Sequence, residues 1–168
     1  MNKYLSNIGY QGPNTLFILI ILALFFLKPN TSITLYIVVL LWQFASHLLN
    51  VFIKNILKFP RPDTYDNDKN GDEFEKIKNS ITWKNCLIIH RNFGMPSGHA
   101  QAVMSELTFI ALYFQNTLLT TAAALQVALT LYQRYNKRRH STKQLVTGSA
   151  LGILVGIIFY KGIKMYKI

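Results

Sequence analysis

The chain has 168 residues, 51% of them hydrophobic and 15% charged, and its formal charge is +11. That length suits a single domain over 1–168, and the basic residues lie outside long apolar runs instead of along amphipathic elements, which excludes a soluble nucleic-acid binder. One cysteine, Cys86, excludes an internal disulfide and a cysteine-based zinc site.

Five apolar runs follow in chain order: Thr15 to Leu27, Ile33 to Ile53, His99 to Phe114, Thr117 to Tyr132 and Gln144 to Tyr160. The first lacks a small-residue cleavage site behind it and reads as a retained span. Several runs are shorter than the ~20 residues that cross a hydrocarbon core. Five in series with polar joints nevertheless predict an all-α, polytopic bundle of about five transmembrane helices. The joints at Lys28 to Ser32 and at Gln115-Asn116 are tight and make antiparallel hairpins.

The only long hydrophilic stretch is a loop over about 61–95, which holds every acidic residue except Glu106. Its Asp66 to Asp72 run lacks the alternating ligand spacing of a calcium loop and reads as a solvated segment. Gly148, Gly152 and Gly156, four apart on the last run, predict close approach of another helix.

Three stretches carry candidate chemistry, within a core of about 43–156. Along the second run Gln43, His47, Asn50, Lys54, Lys58 and Arg61 recur every three or four residues, which on a helix is one polar stripe. Pro60 and Pro62 stop that helix and leave Arg61 at its mouth. Pro96-Ser97-Gly98-His99 opens the third run, where a turn and the amides of a new helix suit an anion beside the Ser97 hydroxyl. Arg134 and His140 bracket the fourth joint, where a neutral imidazole can attack phosphorus. If the runs alternate in direction, all three stretches meet at one membrane face. Lys54, Arg61 and Arg134 then hold phosphoryl oxygens, with a nucleophile and a proton donor beside them.

In this order, Lys54 to Pro62 (KxxxxxxRP), Pro96 to His99 (PSGH) and Arg134 to His140 (RxxxxxH) resemble the three signature motifs of the type 2 phosphatidic acid phosphatase superfamily. The resemblance implies a helical, metal-independent membrane enzyme without cofactor that hydrolyses lipid phosphates or diphosphates through a phosphohistidine. It implies phosphate binding by Lys54, Arg61, Ser97, Gly98 and Arg134, acid catalysis by His99 and nucleophilic attack by His140. The expected partners are a lipid phosphate and the bilayer, and the expected location is a multi-pass protein of the endoplasmic reticulum or plasma membrane.

The third motif departs from the family in two places. Gln133 precedes Arg134 where Ser is usual, and Gln144 stands where an Asp usually accepts from the nucleophile's second nitrogen. The Gln144 carbonyl is a candidate to fix that tautomer, and Ser141-Thr142-Lys143-Gln144 also fits a helix capping box. Gln144, together with Gly94-Met95-Pro96-Ser97-Gly98-His99-Ala100-Gln101, is similar to the dolichyl-diphosphatase-like branch and points to polyprenyl diphosphates. Phosphatidate or phosphatidylglycerol phosphate, another phosphoryl acceptor, and a lipid-phosphate-binding protein without turnover are the alternatives. Glu106, two turns along the helix from His99, is expected to pair with His47 or with bound polar groups. His90 and Arg91 are expected at the substrate rim.

Overall fold

The computed structural model describes residues 3–62 and 93–166. The acidic segment, Cys86, His90 and Arg91 lie outside the described residues, so the readings placed on them stand there. Among the described residues the chain is all helical: α1 (Lys3–Tyr10), α2 (Gly12–Leu27), α3 (Ile33–Leu57), α4 (Gly98–Phe114), α5 (Thr117–Asn136) and α6 (Thr142–Tyr166). The last five reproduce the five apolar runs to within a few residues at each end. The first is an addition, a short helix that meets α2 at a bend of 63°.

Local chemistry sets the boundaries. Pro13 occupies the first turn of α2, where its missing N–H costs nothing. Lys58 ends α3 in the left-handed region at φ 49°, its amide bonded to the Lys54 carbonyl. Ser97 caps α4 and Asn116 caps α5, each side chain accepting from an amide three residues on. Ser141 and Gln144 form the expected capping box at α6: the Ser141 amide donates to Gln144 Oε1 at 3.1 Å, and the Gln144 amide donates to Ser141 Oγ at 3.3 Å.

Helix α4 is the axis of the bundle and packs on α2, α3, α5 and α6. Its closest partner is α6, through the three glycines. A Cβ on Gly148, Gly152 or Gly156 would strike the carbonyl of Ser97, Gln101 or Ser105 respectively, so the two backbones touch over two turns. Trp42 stacks on Phe159 with ring centroids 4.1 Å apart and joins α3 to α6. Gly9 and Gly12 let the bend between α1 and α2 lie against α5, where Gln126 Nε2 donates to the Ile8 carbonyl.

The distribution of side chains is inverted relative to a water-soluble protein. Asn50, Lys54, Gln101, Ser105, Glu106 and Thr130 are buried, while Leu40, Leu41, Phe44, Phe52, Leu125 and Ile158 face outward. That arrangement suits hydrocarbon outside and a polar channel within. Two helices, α3 and α6, are long and apolar enough to cross a membrane, each with a mean hydropathy of 1.7, and the bent pair α1–α2 raises this to at most three. The expected five spans do not all meet that standard. Helix α4 has 17 residues, and α5 carries Gln126, Thr130, Gln133 and Arg134. Thr130, Gln133 and Arg134 of α5 are buried, so these polar groups turn to the interior of the bundle.

Candidate active site

Four chain segments converge at one end of the bundle: the end of α3 with Phe59 to Pro62, the approach to α4 from Phe93, the end of α5, and the turn into α6. The first two are sewn together by backbone. The Gly94 amide donates to the Phe59 carbonyl at 2.9 Å, and Pro60 and Phe93 form an isolated antiparallel bridge. The second and fourth are joined where the Ser97 amide donates to the Gln144 carbonyl at 3.1 Å. At the opposite end, the turn between α2 and α3 and Tyr113 of α4 line one surface hollow. Helix directions therefore alternate as expected for α2, α3 and α4.

His140 sits at the centre and is 2% exposed. Its Nδ1 lies 3.0 Å from the Gly94 carbonyl, and its Nε2 lies 3.3 Å from Arg61 Nη1. A carbonyl only accepts and a guanidinium only donates. Both contacts therefore specify the same form, with the proton on Nδ1 and the lone pair on Nε2. Burial first, then the charges of Arg61, Lys54 and Arg134 and the proximity of His99, push the His140 imidazole down to about 2. It is a neutral nitrogen base aimed at a cation.

The remaining sequence-predicted residues gather around it. Arg61 also donates to the Arg139 carbonyl at 3.3 Å, which holds the turn before His140 against the end of α3. Lys54 is fully buried in the last turn of α3. Arg134 Nη2 lies 2.6 Å from Nε2 and 2.8 Å from Nδ1 of His99. Arg134 Nε is buried with no hydrogen-bond partner among the described residues, a donor left for an oxygen ligand. Behind His99 lies a cavity of about 210 Å³, lined by Gln43, Ser46, His47, Asn50 and Gln101 among others. Asn50 Nδ2 donates to Gln101 Oε1 at 2.7 Å, and Gln101 Nε2 donates to the carbonyl and hydroxyl of Ser46, so the cavity wall is internally braced.

Three expectations need correction. The second nitrogen of His140 is served by the Gly94 carbonyl and not by Gln144, whose Nε2 donates instead to the Pro60 carbonyl at 2.6 Å. The Ser97 amide is committed to the Gln144 carbonyl, so it is not available to an anion as the motif suggested. Glu106 pairs with Gln43, which donates from Nε2 at 2.5 Å, while His47 is exposed and lines the cavity behind His99. Gln43 lies one turn earlier on the stripe and faces α4.

Two participants had no sequence signal strong enough to find them. Tyr10 of α1 reaches the site, its ring centroid 5.5 Å from that of His99 and 5.1 Å beneath the Arg134 guanidinium carbon. That contact joins residues far apart in the chain and leaves no local pattern. The Gly94 carbonyl was hidden because backbone has no identity in a sequence. The one available hint was a side-chain-free residue two positions before the second motif. No cluster of three or more His, Cys, Asp or Glu that could hold a metal occurs among the described residues.

The model of the PAP2 superfamily matches residues 15–167, nearly the whole chain. This chain belongs to the PAP2 superfamily. No curated protein and no solved structure matches it. Members of the PAP2 superfamily are phosphatases, so the cluster of cations and imidazoles is the candidate catalytic centre of a hydrolase. The outward apolar faces make this PAP2 protein a membrane protein, and the family supplies the substrate class, a lipid phosphate.

Proposed function

We propose that this PAP2 protein hydrolyses a lipid-linked diphosphate at the membrane surface through a phosphohistidine on His140. The observation that carries the reading is the orientation of His140: Nδ1 toward the Gly94 carbonyl, Nε2 toward Arg61. A nucleophile for phosphorus needs an unprotonated nitrogen beside the cations that will hold the phosphoryl oxygens, and both conditions are met in one place.

Two in-line displacements follow. The Nε2 lone pair attacks the terminal phosphorus, the bond from phosphorus to the bridging oxygen breaks, and that oxygen takes a proton from His99. Lys54, Arg61 and Arg134 hold the equatorial oxygens, assisted by the Gly98 amide and the Ser97 hydroxyl at the start of α4. Water then gives a proton to His99 and its oxygen attacks the same phosphorus. The bond to Nε2 breaks, inorganic phosphate leaves and His140 is restored. Three fixed cations neutralise the phosphoryl charge in this scheme, so it contains no step through a metal.

Two features support a diphosphate of a polyprenyl lipid. Gln144 and the Gly94 to Gln101 segment are similar to the dolichyl-diphosphatase-like branch. The cavity behind His99 carries Gln43, Ser46, Asn50 and Gln101 in its mixed polar and apolar lining, which suits a leaving group with polar atoms next to the broken bond and an apolar chain beyond. In the bilayer the fold is proposed to cross five times, with α4 enclosed by its neighbours and α5 turning Thr130, Gln133 and Arg134 inward.

Purified protein in detergent should release phosphate from polyprenyl diphosphate faster than from phosphatidylglycerol phosphate or phosphatidate. Acid-stable trapping is unsuited to a phosphoramidate, so labelled phosphate on His140 should be sought after an alkaline quench. A His140→Ala protein that releases phosphate at the wild-type rate would sink the mechanism.

A further inference from the structure

The geometry points to Gln144 as a positioning residue that orients the His140 nucleophile through the Gly94 carbonyl, by clamping all three motif stretches together. This assignment rests on His140 being the nucleophile of the proposed reaction.

Gln144 touches each stretch with a different atom. Its Nε2 donates to the Pro60 carbonyl at 2.6 Å, beside Arg61 of the first motif. Its main-chain carbonyl accepts from the Ser97 amide at 3.1 Å, in the second. Its Oε1 accepts from the Ser141 amide at 3.1 Å, next to His140 in the third. The amide orientation is determined twice. Exchanging oxygen and nitrogen would set two acceptors together at Pro60 and two donors together at Ser141.

The plane of that amide lies on Gly94. A Cβ on Gly94 would come within 2.5 Å of Oε1, 2.6 Å of Nε2 and 2.7 Å of Cδ of Gln144. No side chain fits there, and the approach fixes where the Gly94 carbonyl points. With its amide bonded to Phe59, Gly94 has one group left in the site, the carbonyl that accepts from His140 Nδ1. The nucleophile is thus held by a neutral dipole, and the dipole is held by Gln144.

The chemistry of the amide is specific to this task. A carboxylate of the same size would keep the cap on Ser141 but would face the Pro60 carbonyl with a second acceptor. Aspartate is one methylene shorter and offers no N–H at all. The residue type that would be a direct partner of His140 is therefore the wrong one for the clamp, and that contrast supplies the test.

Gln144→Asp, Gln144→Glu, Gln144→Ala, Gly94→Ala and the Gly94→Ala/Gln144→Ala double variant are compared in detergent. Phosphate release is followed against pH, and the ring nitrogens of His140 are followed by 15N NMR. Gln144→Asp and Gln144→Glu are expected to lose at least tenfold in kcat. Their 15N spectra are expected to show a mixture of tautomers where wild type shows the proton on Nδ1. Gly94→Ala is expected to cost at least tenfold alone but less than threefold when added to Gln144→Ala, because the side chain it would strike is gone. The assignment is overturned if Gln144→Asp keeps wild-type kcat with its acid limb moved to higher pH, the signature of a carboxylate placed directly behind His140. It is also overturned if Gly94→Ala costs the same in both backgrounds. The NMR readout decides the assignment without turnover, so a wild-type protein that released no phosphate would refute the reaction and not the clamp. Gln144→Glu, which changes one atom, serves if a Gly94 variant does not fold.

Discussion

His140 shows how burial and neighbouring charge keep an imidazole neutral, the state the proposed nucleophile needs. An exposed histidine titrates near 6.5. Here burial, then Arg61, Lys54 and Arg134 and the proximity of His99, depress it to about 2. The consequence for stability has a definite sign. Above the ordinary value both folded and unfolded chains carry a neutral imidazole, and His140 contributes no pH dependence. As pH falls below it, the unfolded chain takes up a proton that the folded site refuses, so stability declines by up to about 1.4 kcal/mol per pH unit. Thermal unfolding in detergent between pH 7 and pH 5 should therefore show a smaller acid loss in His140→Asn, which keeps an amide donor for Gly94 and has nothing to titrate.

Tyr10 belongs to the same scale. Its ring lies under Arg134 and beside His99, so it steadies two functional side chains by one apolar surface. A cation–π contact at a partly exposed site contributes about 0.5–1 kcal/mol. Tyr10→Ala is expected to lower kcat/KM about two- to fivefold, and Tyr10→Phe to stay near wild type. A Phe variant as impaired as Ala would assign the effect to the hydroxyl instead.

At the scale of elements, the bundle depends on how α4 meets α6. The glycine spacing on the last apolar run predicted close packing, and the structure supplies the partner: Ser97 at the cap of α4, then Gln101 and Ser105 within it, four apart. The same contact sets the distance between His99 at the head of α4 and His140 at the head of α6. Overpacking a tight interface typically costs about 1–3 kcal/mol. Gly152→Leu should lower the unfolding temperature and abolish phosphate release. Gly162→Leu, on the same helix with nothing within 4 Å, should do neither. Equal effects from both would mean that close packing of Gly152 on α4 is not what the substitution disturbs.

The apolar runs located five of the six helices among the described residues, because a long stretch without charge has few other folded solutions. Helix α1 escaped, since eight residues of mixed polarity carry no period that distinguishes them from a loop. The stripe on α3 was legible as a face, and Asn50 and Lys54 are buried on it. Which of Gln43 and His47 would meet Glu106 was not legible, because a rotation of α3 by part of a turn exchanges them.

Across the whole molecule, the described site lies at one end, at the starts of α4 and α6 and the ends of α3 and α5. The turn after α2 lies at the other. Labelling of single cysteines in sealed vesicles tests this, after Cys86 is replaced. A cysteine at Asn30 and one at Asn136 should react from opposite sides. Reaction of both from one side would refute the proposed alternation of spans.

Composition, the order of the apolar runs and the spacing of three motifs determined by themselves that the chain is a helical membrane protein and which residues to expect at its site. Those features are local, so they survive in a one-dimensional string. Tertiary structure alone decided that a backbone carbonyl meets His140 Nδ1, that Gln144 serves Pro60 and Ser141, and that Tyr10 enters from the first helix. Each of these depends on the angle and depth at which separate helices pack, and on main-chain groups that every residue carries alike.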